Sequence, residues 1–219
     1  MTELRTDEEQ TEMLKRWWAE NGKSTLLSVV LVAGGWIGWN FYQDQQQATG
    51  EAASALYASM TEKAAQASST ANDAAMQEAV ALAEQLRKDF NGSSYSQFAT
   101  LFLARFAAES GDLDSAAKEL RGLADSAEAP INYMARVRLA NVLIAQNDAD
   151  GALALVSKVD DPAYASQYLE AKGDALYQKG DNQGARAAYL EAVDAATELG
   201  LDSQPLKRKA DFLVAAEDA

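Results

Sequence analysis

The stretch Gln178-Lys179-Gly180-Asp181-Asn182-Gln183-Gly184-Ala185 sets a helix stop directly against a helix start. Gly180 can take the left-handed conformation that ends a helix, and Asp181 offers a side-chain oxygen to the free amides of the next one. The same arrangement occurs at Glu109-Ser110-Gly111-Asp112-Leu113-Asp114-Ser115-Ala116 and at Ala145-Gln146-Asn147-Asp148-Ala149-Asp150-Gly151-Ala152. Gly111, Asn147 and Gly180 are spaced 36 and then 33 residues apart. An all-helical period of about 34 residues predicts a solenoid of helix–turn–helix pairs. Ala116, Ala152 and Ala185 are small enough to let two helices approach closely. Leu120, Val156 and Tyr189, one turn later, are large enough to plug the seam with the next pair. A generic bundle with coincidental turns is the competing reading.

The repeated region is flanked by helical patterns. Residues 45–90 are rich in Ala, Glu and Gln and contain no Pro. Leu56, Tyr57, Met60 and Ala64 recur at helical spacing, as do Met76, Val80, Ala83 and Leu86, with Phe90 closing the series. Ser68-Ser69-Thr70-Ala71-Asn72-Asp73 lies between them and supplies N-cap residues, so a helix hairpin is predicted. Asn91-Gly92 then gives a stop, and Ser94 with Gln97 has capping-box spacing for the following helix. Past Leu199-Gly200, Ser203-Gln204-Pro205 restarts one more helix. Its Leu206, Ala210 and Leu213 form an apolar stripe, while Lys207, Arg208, Lys209 and Asp211 stay polar. This suits a terminal capping helix. Strand signals are missing, and the fold class expected is all-α.

Residues 166–194 resemble the tetratricopeptide family through Gly173, Ala175, Leu176, Tyr177, Gly180, Asp181, Ala185, Tyr189 and Ala192. In the two earlier copies Ala104 and Ala140 stand where that family usually has Gly. Pro130 and Pro162 sit where new repeats begin, as expected of Pro in a first helical turn. The resemblance implies a curved stack whose first helices line the concave side and bind protein segments. Carried over, the inward-facing positions are Phe98, Leu101, Arg105, Met134, Asn141, Asp174 and Tyr177. Some of these can instead pack against the N-terminal hairpin or the C-terminal helix. Tyr164, Tyr168 and Tyr189 read as core.

Ahead of the soluble pattern lies Ser24–Tyr42, an uncharged and mostly apolar run. At 1.5 Å per residue such a helix covers roughly 28 Å, close to the hydrocarbon thickness of a bilayer. A cleaved signal peptide fits less well, because the leader carries Glu3, Asp7, Glu8, Glu9 and Glu12 and no small-x-small site follows the run. Lys15, Arg16 and Lys23 precede the run, and no basic residue appears between Tyr42 and Lys63. The N-terminus is therefore expected in the cytoplasm and the C-terminal part outside it. Trp17 and Trp18 before the span, and Trp36, Trp39, Phe41 and Tyr42 at its far end, read as interfacial belts. Gly34 and Gly38 form a small-xxx-small pair that lets another membrane helix approach. Equally, glycine is simply tolerated in such helices. The expected organisation is a tail over 1–23, a transmembrane helix over 24–42 and a helical domain over 43–219.

Composition narrows the function. The net charge is −14, and residues 44–219 carry about −12 of it. A domain that acidic repels phosphate backbones, so nucleic acid is excluded as a partner. With neither Cys nor His, disulfides, thiol nucleophiles and the usual neutral-pH base are unavailable. No metal, cofactor or small-molecule substrate is expected, and the chain does not read as an enzyme. Adjacent Asp160 and Asp161 before Pro162 are the nearest thing to a paired-carboxylate site, and they read more simply as helix caps.

A narrower resemblance joins anchor and repeats. Lys15-Arg16-Trp17-Trp18-Ala19-Glu20-Asn21-Gly22-Lys23 leads into the span, Ile37-Gly38-Trp39 ends it, and Lys179-Gly180-Asp181-Asn182-Gln183-Gly184-Ala185-Arg186 follows far downstream. Together these resemble the YfgM-like family, the ancillary subunit of the bacterial SecYEG translocon. The resemblance implies a single-pass inner-membrane protein with a periplasmic tetratricopeptide-like domain. It further implies association with SecYEG and with the chaperone PpiD, and a role in handing newly translocated proteins to periplasmic chaperones. A link to the Rcs envelope-stress regulator is implied as well. A structural or assembly scaffold of another envelope complex is the alternative function for the same plan.

Overall fold

The computed structural model describes residues 7–70, 72–158 and 161–217. Among these residues the α-helices are α1 (Asp7–Thr70), α2 (Asp73–Asp89), α3 (Ser94–Glu109), α4 (Leu113–Ser126), α5 (Ile131–Ala145), α6 (Ala149–Leu155), α7 (Ala165–Gln178), α8 (Asn182–Glu198) and α9 (Gln204–Glu217). A short 3-10 turn over Pro162–Tyr164 precedes α7. No strand occurs among the described residues. The chain divides into two compact units, Met1–Ala52 and Ala53–Ala219.

In the first unit the apolar run is helical and lies bare. Leu26, Leu31, Val32, Ile37 and Phe41 are all exposed, and the helix is long and apolar enough to cross a membrane. Water disfavours an apolar surface on all sides of a helix, whereas hydrocarbon accepts it. Trp17 and Trp18 sit with ring centroids 6.3 Å apart, and Trp39 and Tyr42 sit 6.2 Å apart. Gly22 lies under the Trp18 indole, where an added Cβ would come within 3.2 Å of the ring. At Gly34, Gly35 and Gly38 a Cβ would meet nothing within 4 Å.

The second unit opens with the C-terminal part of α1 packed on α2. Ala53, Met60 and Ala67 from the one, and Ala75, Ala79, Ala83 and Leu86 from the other, are buried. Asn72 caps α2, its side chain accepting from the amides of Ala74 and Ala75 at 3.1 and 3.3 Å. The cap of α3 differs from the capping-box expectation. Ser93, not Ser94, accepts from the Ser96 amide at 3.1 Å, and the Ser96 hydroxyl returns a bond to the Ser93 carbonyl at 2.9 Å. Left-handed Gly92, at φ +84°, turns the chain one residue earlier than the serine pair alone suggests.

The three predicted pairs are α3–α4, α5–α6 and α7–α8. Gly111, Asn147 and Gly180 have φ of 84, 65 and 79°. At each of these turns the following Asp amide bonds back to the carbonyl five residues earlier, on Ala107, Leu143 and Leu176, at 2.8, 2.8 and 3.0 Å. These are Schellman closures, which satisfy carbonyls that a helix end would otherwise leave open. Asp112, Asp148 and Asp181 then accept from Ser115, Gly151 and Gly184 at 3.0, 2.9 and 2.9 Å. Successive turns are tied sideways: Gln146 donates to Asp114 at 2.7 Å, and Lys179 pairs with Asp150 at the equivalent place.

Ala116, Ala152 and Ala185 are fully buried, and Leu120, Val156 and Tyr189 fill the seam. In the third pair the close approach is extreme: a Cβ on Gly173 would stand 2.4 Å from the Tyr189 ring. At the same register the first two pairs hold Ala104 with Leu120 and Ala140 with Val156. A smaller seam residue leaves room for the methyl that Gly173 lacks. Pro162 follows Asp161 at the start of its turn, and Asp161 accepts from the Ala163 amide at 2.9 Å. Asp161 is thus a cap, while Asp160 lies outside the described residues. Helix α9 buries Leu206, Ala210 and Leu213 against the last pair, as a capping helix should.

Candidate functional site

Helices α3, α5 and α7 are the first members of the three pairs, and each exposes a polar stripe at i, i+3, i+4 spacing opposite its buried alanines. Four cavities follow one another along these stripes. One of about 300 Å³ lies among Ala64, Met76, Phe102, Arg105 and Phe106. The next, also about 300 Å³, is bounded by Ala104, Arg105, Glu109, Arg138 and Asn141. A third of about 480 Å³ is lined by Arg138, Asn141, Gln167, Glu170 and Asp174. The last, about 470 Å³, lies among Asp174, Tyr177, Tyr189, Arg208 and Phe212. Neighbouring cavities share Arg105, then Arg138 and Asn141, then Asp174, so they lie in a row that makes up a groove along the first helices. An open groove of this length, aromatic at both ends and charged between them, suits an extended polypeptide better than a small molecule.

The charges along the groove are unevenly compensated. Arg105 Nε donates to Glu109 Oε1 at 2.7 Å, and both side chains are exposed, so the pair orients more than it stabilises. Arg138 has no carboxylate within ion-pair distance among the described residues. Burial, and then the like charge of Arg105, hold its guanidinium below the ordinary arginine range. At the C-terminal end Lys209 Nζ donates to both oxygens of Asp174 at 2.7 and 2.9 Å and pairs with Glu170 at 2.9 Å. Tyr189 donates its hydroxyl to Asp174 at 2.8 Å. Burial pushes the Tyr189 phenol up, reinforced by that hydrogen bond. Burial alone would lower Lys209, but its hydrogen bonds to Asp174 and Glu170 outweigh this and raise it. Beside this network Tyr177 and Phe212 stand exposed, edge to face at 6.5 Å.

A family model for a tetratricopeptide repeat-like domain matches residues 15–215. Relatives named ancillary SecYEG translocon subunit align over most of their length. The one from Escherichia coli is 32% identical over 85% of this chain and 87% of its own. That from Haemophilus influenzae is 27% identical over 94% and 97%, and that from Neisseria gonorrhoeae is 28% identical over 94% and 97%. The chain belongs to the ancillary SecYEG translocon subunit family. No solved structure matches it.

In this member of the ancillary SecYEG translocon subunit family, Arg105, Asn141, Asp174 and Tyr177 come together along the groove. Three other residues expected to face inward do not line it. Leu101 is 3% exposed and belongs to the core. Met134 packs against that same core. Phe98 lies beside Tyr57 of α1, its ring tilted and the centroids 6.0 Å apart, so it stands at the N-terminal hairpin and remains exposed. Gly34 and Gly38 lie on the apolar run of the first unit, with their face open. Sequence reasoning missed Arg138 and Glu170. In the repeat register Arg105 corresponds to Asn141, 36 residues on, and Arg138 lies one turn before it, so the period carried no signal for Arg138. Lys209 read as solvated, yet it turns inward to Asp174, a partner 35 residues away.

Proposed function

We propose that this protein is a membrane-anchored scaffold, accessory to the SecYEG translocon, that receives newly translocated segments and passes them to periplasmic chaperones such as PpiD. Residues 1–23 form a cytoplasmic tail, 24–42 cross the inner membrane, and 43–219 make a periplasmic tetratricopeptide-like domain. The row of cavities along α3, α5 and α7 carries this reading, because it offers a surface long enough for a polypeptide segment. The bare apolar run supports the anchor, the basic residues at 15, 16 and 23 support the orientation, and the relatives' names support the translocon as neighbour.

A photoreactive residue in place of Asn141 tests the scaffold directly. It should crosslink stalled exported chains in cells, while the same residue at Arg186, exposed on α8, should not. Equal yields at both positions would remove the groove from consideration. A reporter fused after Ala219 should be active only outside the cytoplasm. Capture through Gly38 of neither translocon nor chaperone subunits would favour a scaffold of some other envelope complex.

A further inference from the structure

We propose that the middle of the groove is an anchor for one acidic side chain of an extended polypeptide, held by Arg138, Arg105 and Asn141. This deepens the scaffold reading and rests on it. Three observations converge on the spot. Arg138 has no ion-pair partner among the described residues, although the domain around it is strongly acidic. The like charge of Arg105, which lines the same cavity, acts on it, and only the Nε of Arg105 is engaged, by Glu109. Asn141 lies one helical turn from Arg138 on the same cavity, and its exposed amide makes no hydrogen bond among the described residues. Two guanidinium groups and an amide, all with donors to spare, match the acceptor oxygens of a carboxylate. A carboxylate there would also neutralise the repulsion between the two arginines.

The position within the groove selects a side chain over a chain terminus. Cavities continue on both sides of the anchor, so a bound segment can run through it in either direction. Toward α2 the wall is apolar, with Met76, Phe102 and Phe106. Toward α7 it is acidic, with Glu170 and Asp174 sharing Lys209 and Asp174 also accepting from Tyr189. The preferred segment therefore has an apolar residue on one flank of its Asp or Glu and a basic or amide residue on the other. Net negative charge over the whole domain works against acidic segments at long range, so recognition is local and depends on these particular groups.

Fluorescence anisotropy on the full-length protein in mild detergent tests this. The probes are two labelled nine-residue peptides blocked at both ends, alike in two leucines and a lysine, with glutamate or glutamine at the centre. The glutamate peptide should bind about tenfold more tightly, a gap typical of one charge-assisted contact. Arg138→Gln should erase that preference without weakening the glutamine peptide, Arg138→Lys should keep part of it, and Arg186→Gln should leave it intact. Equal binding of the two peptides by the wild type would overturn the carboxylate anchor while the groove survives as a binding surface. Loss of the preference in Arg186→Gln would overturn it too, by showing a diffuse charge effect. Binding of neither peptide would overturn the scaffold reading along with it.

Discussion

Gly173 and Tyr189 show how one missing methyl group sets the fit between two helices. A Cβ at Gly173 would stand 2.4 Å from the tyrosine ring, and the ring is pinned by its hydroxyl bond to Asp174. Gly173→Ala should cost about 1–3 kcal/mol through overpacking, despite the gain of up to about 1 kcal/mol from helix propensity. Urea unfolding checks this, and pairing the change with Tyr189→Leu, which copies the Ala104–Leu120 register, should recover part of the loss. Gly122→Ala, where a Cβ meets nothing within 4 Å, should instead stabilise. Lys209 gives the pH dependence. Its folded pKa is raised, so its contribution is complete below the ordinary value of 10.5 and is lost as pH rises through the higher folded value. Unfolding midpoints should fall above about pH 10.5, and Lys209→Met should flatten that part of the profile. Gly173 and Tyr189 were legible because each sits at a fixed place in the repeat. The Lys209–Asp174 pair was not, since it joins a helix outside the repeats to one within, and no periodicity relates them.

Caps and turns decide the elements, and here the sequence speaks almost completely. A left-handed residue followed by Asp ends one helix and begins another at all three repeats, since the two residues perform one local task regardless of their surroundings. The start of α3 is the instructive exception. Ser93 and Ser94 are both competent caps, and the pairing of Ser94 with Gln97 has the better motif spacing. What decides is the left-handed Gly92, which commits Ser93 to the extended conformation that a cap requires. Ser93→Ala should therefore lose about 1 kcal/mol of stability by denaturant unfolding, whereas Ser94→Ala, inside the first turn, should change it by less than about half of that. The reverse order would mean that α3 begins one residue later.

For the molecule as a whole, anchor and groove make separate demands that can be tested apart. Introducing Leu31→Arg with Val32→Arg places two charges in the middle of the apolar run, each costing about 2.5–3.5 kcal/mol at a membrane helix centre. The doubly substituted protein should leave the membrane pellet on alkaline extraction, while its peptide binding in detergent stays unchanged. Retention in the pellet would mean that the run is not what holds the protein there. The span and the solenoid plan were legible because length, hydropathy and period are properties of a single stretch. The groove's polar floor was only half legible. Facing a groove depends on how much of a side chain its neighbours cover, and for Leu101 and Met134 the neighbours cover most of it. One asymmetry remains among the repeats: α6 runs only from Ala149 to Leu155, half the length of α4. In a stack held by nearest-neighbour contacts, the repeat with the shortest outer helix opens at the lowest free energy. Amide exchange should be fastest over 149–155 among the second helices, and a bound glutamate peptide should slow it. The helix bearing Arg138 would then be backed by the most easily melted element of the protein, making local unfolding a route by which a tightly held chain is let go.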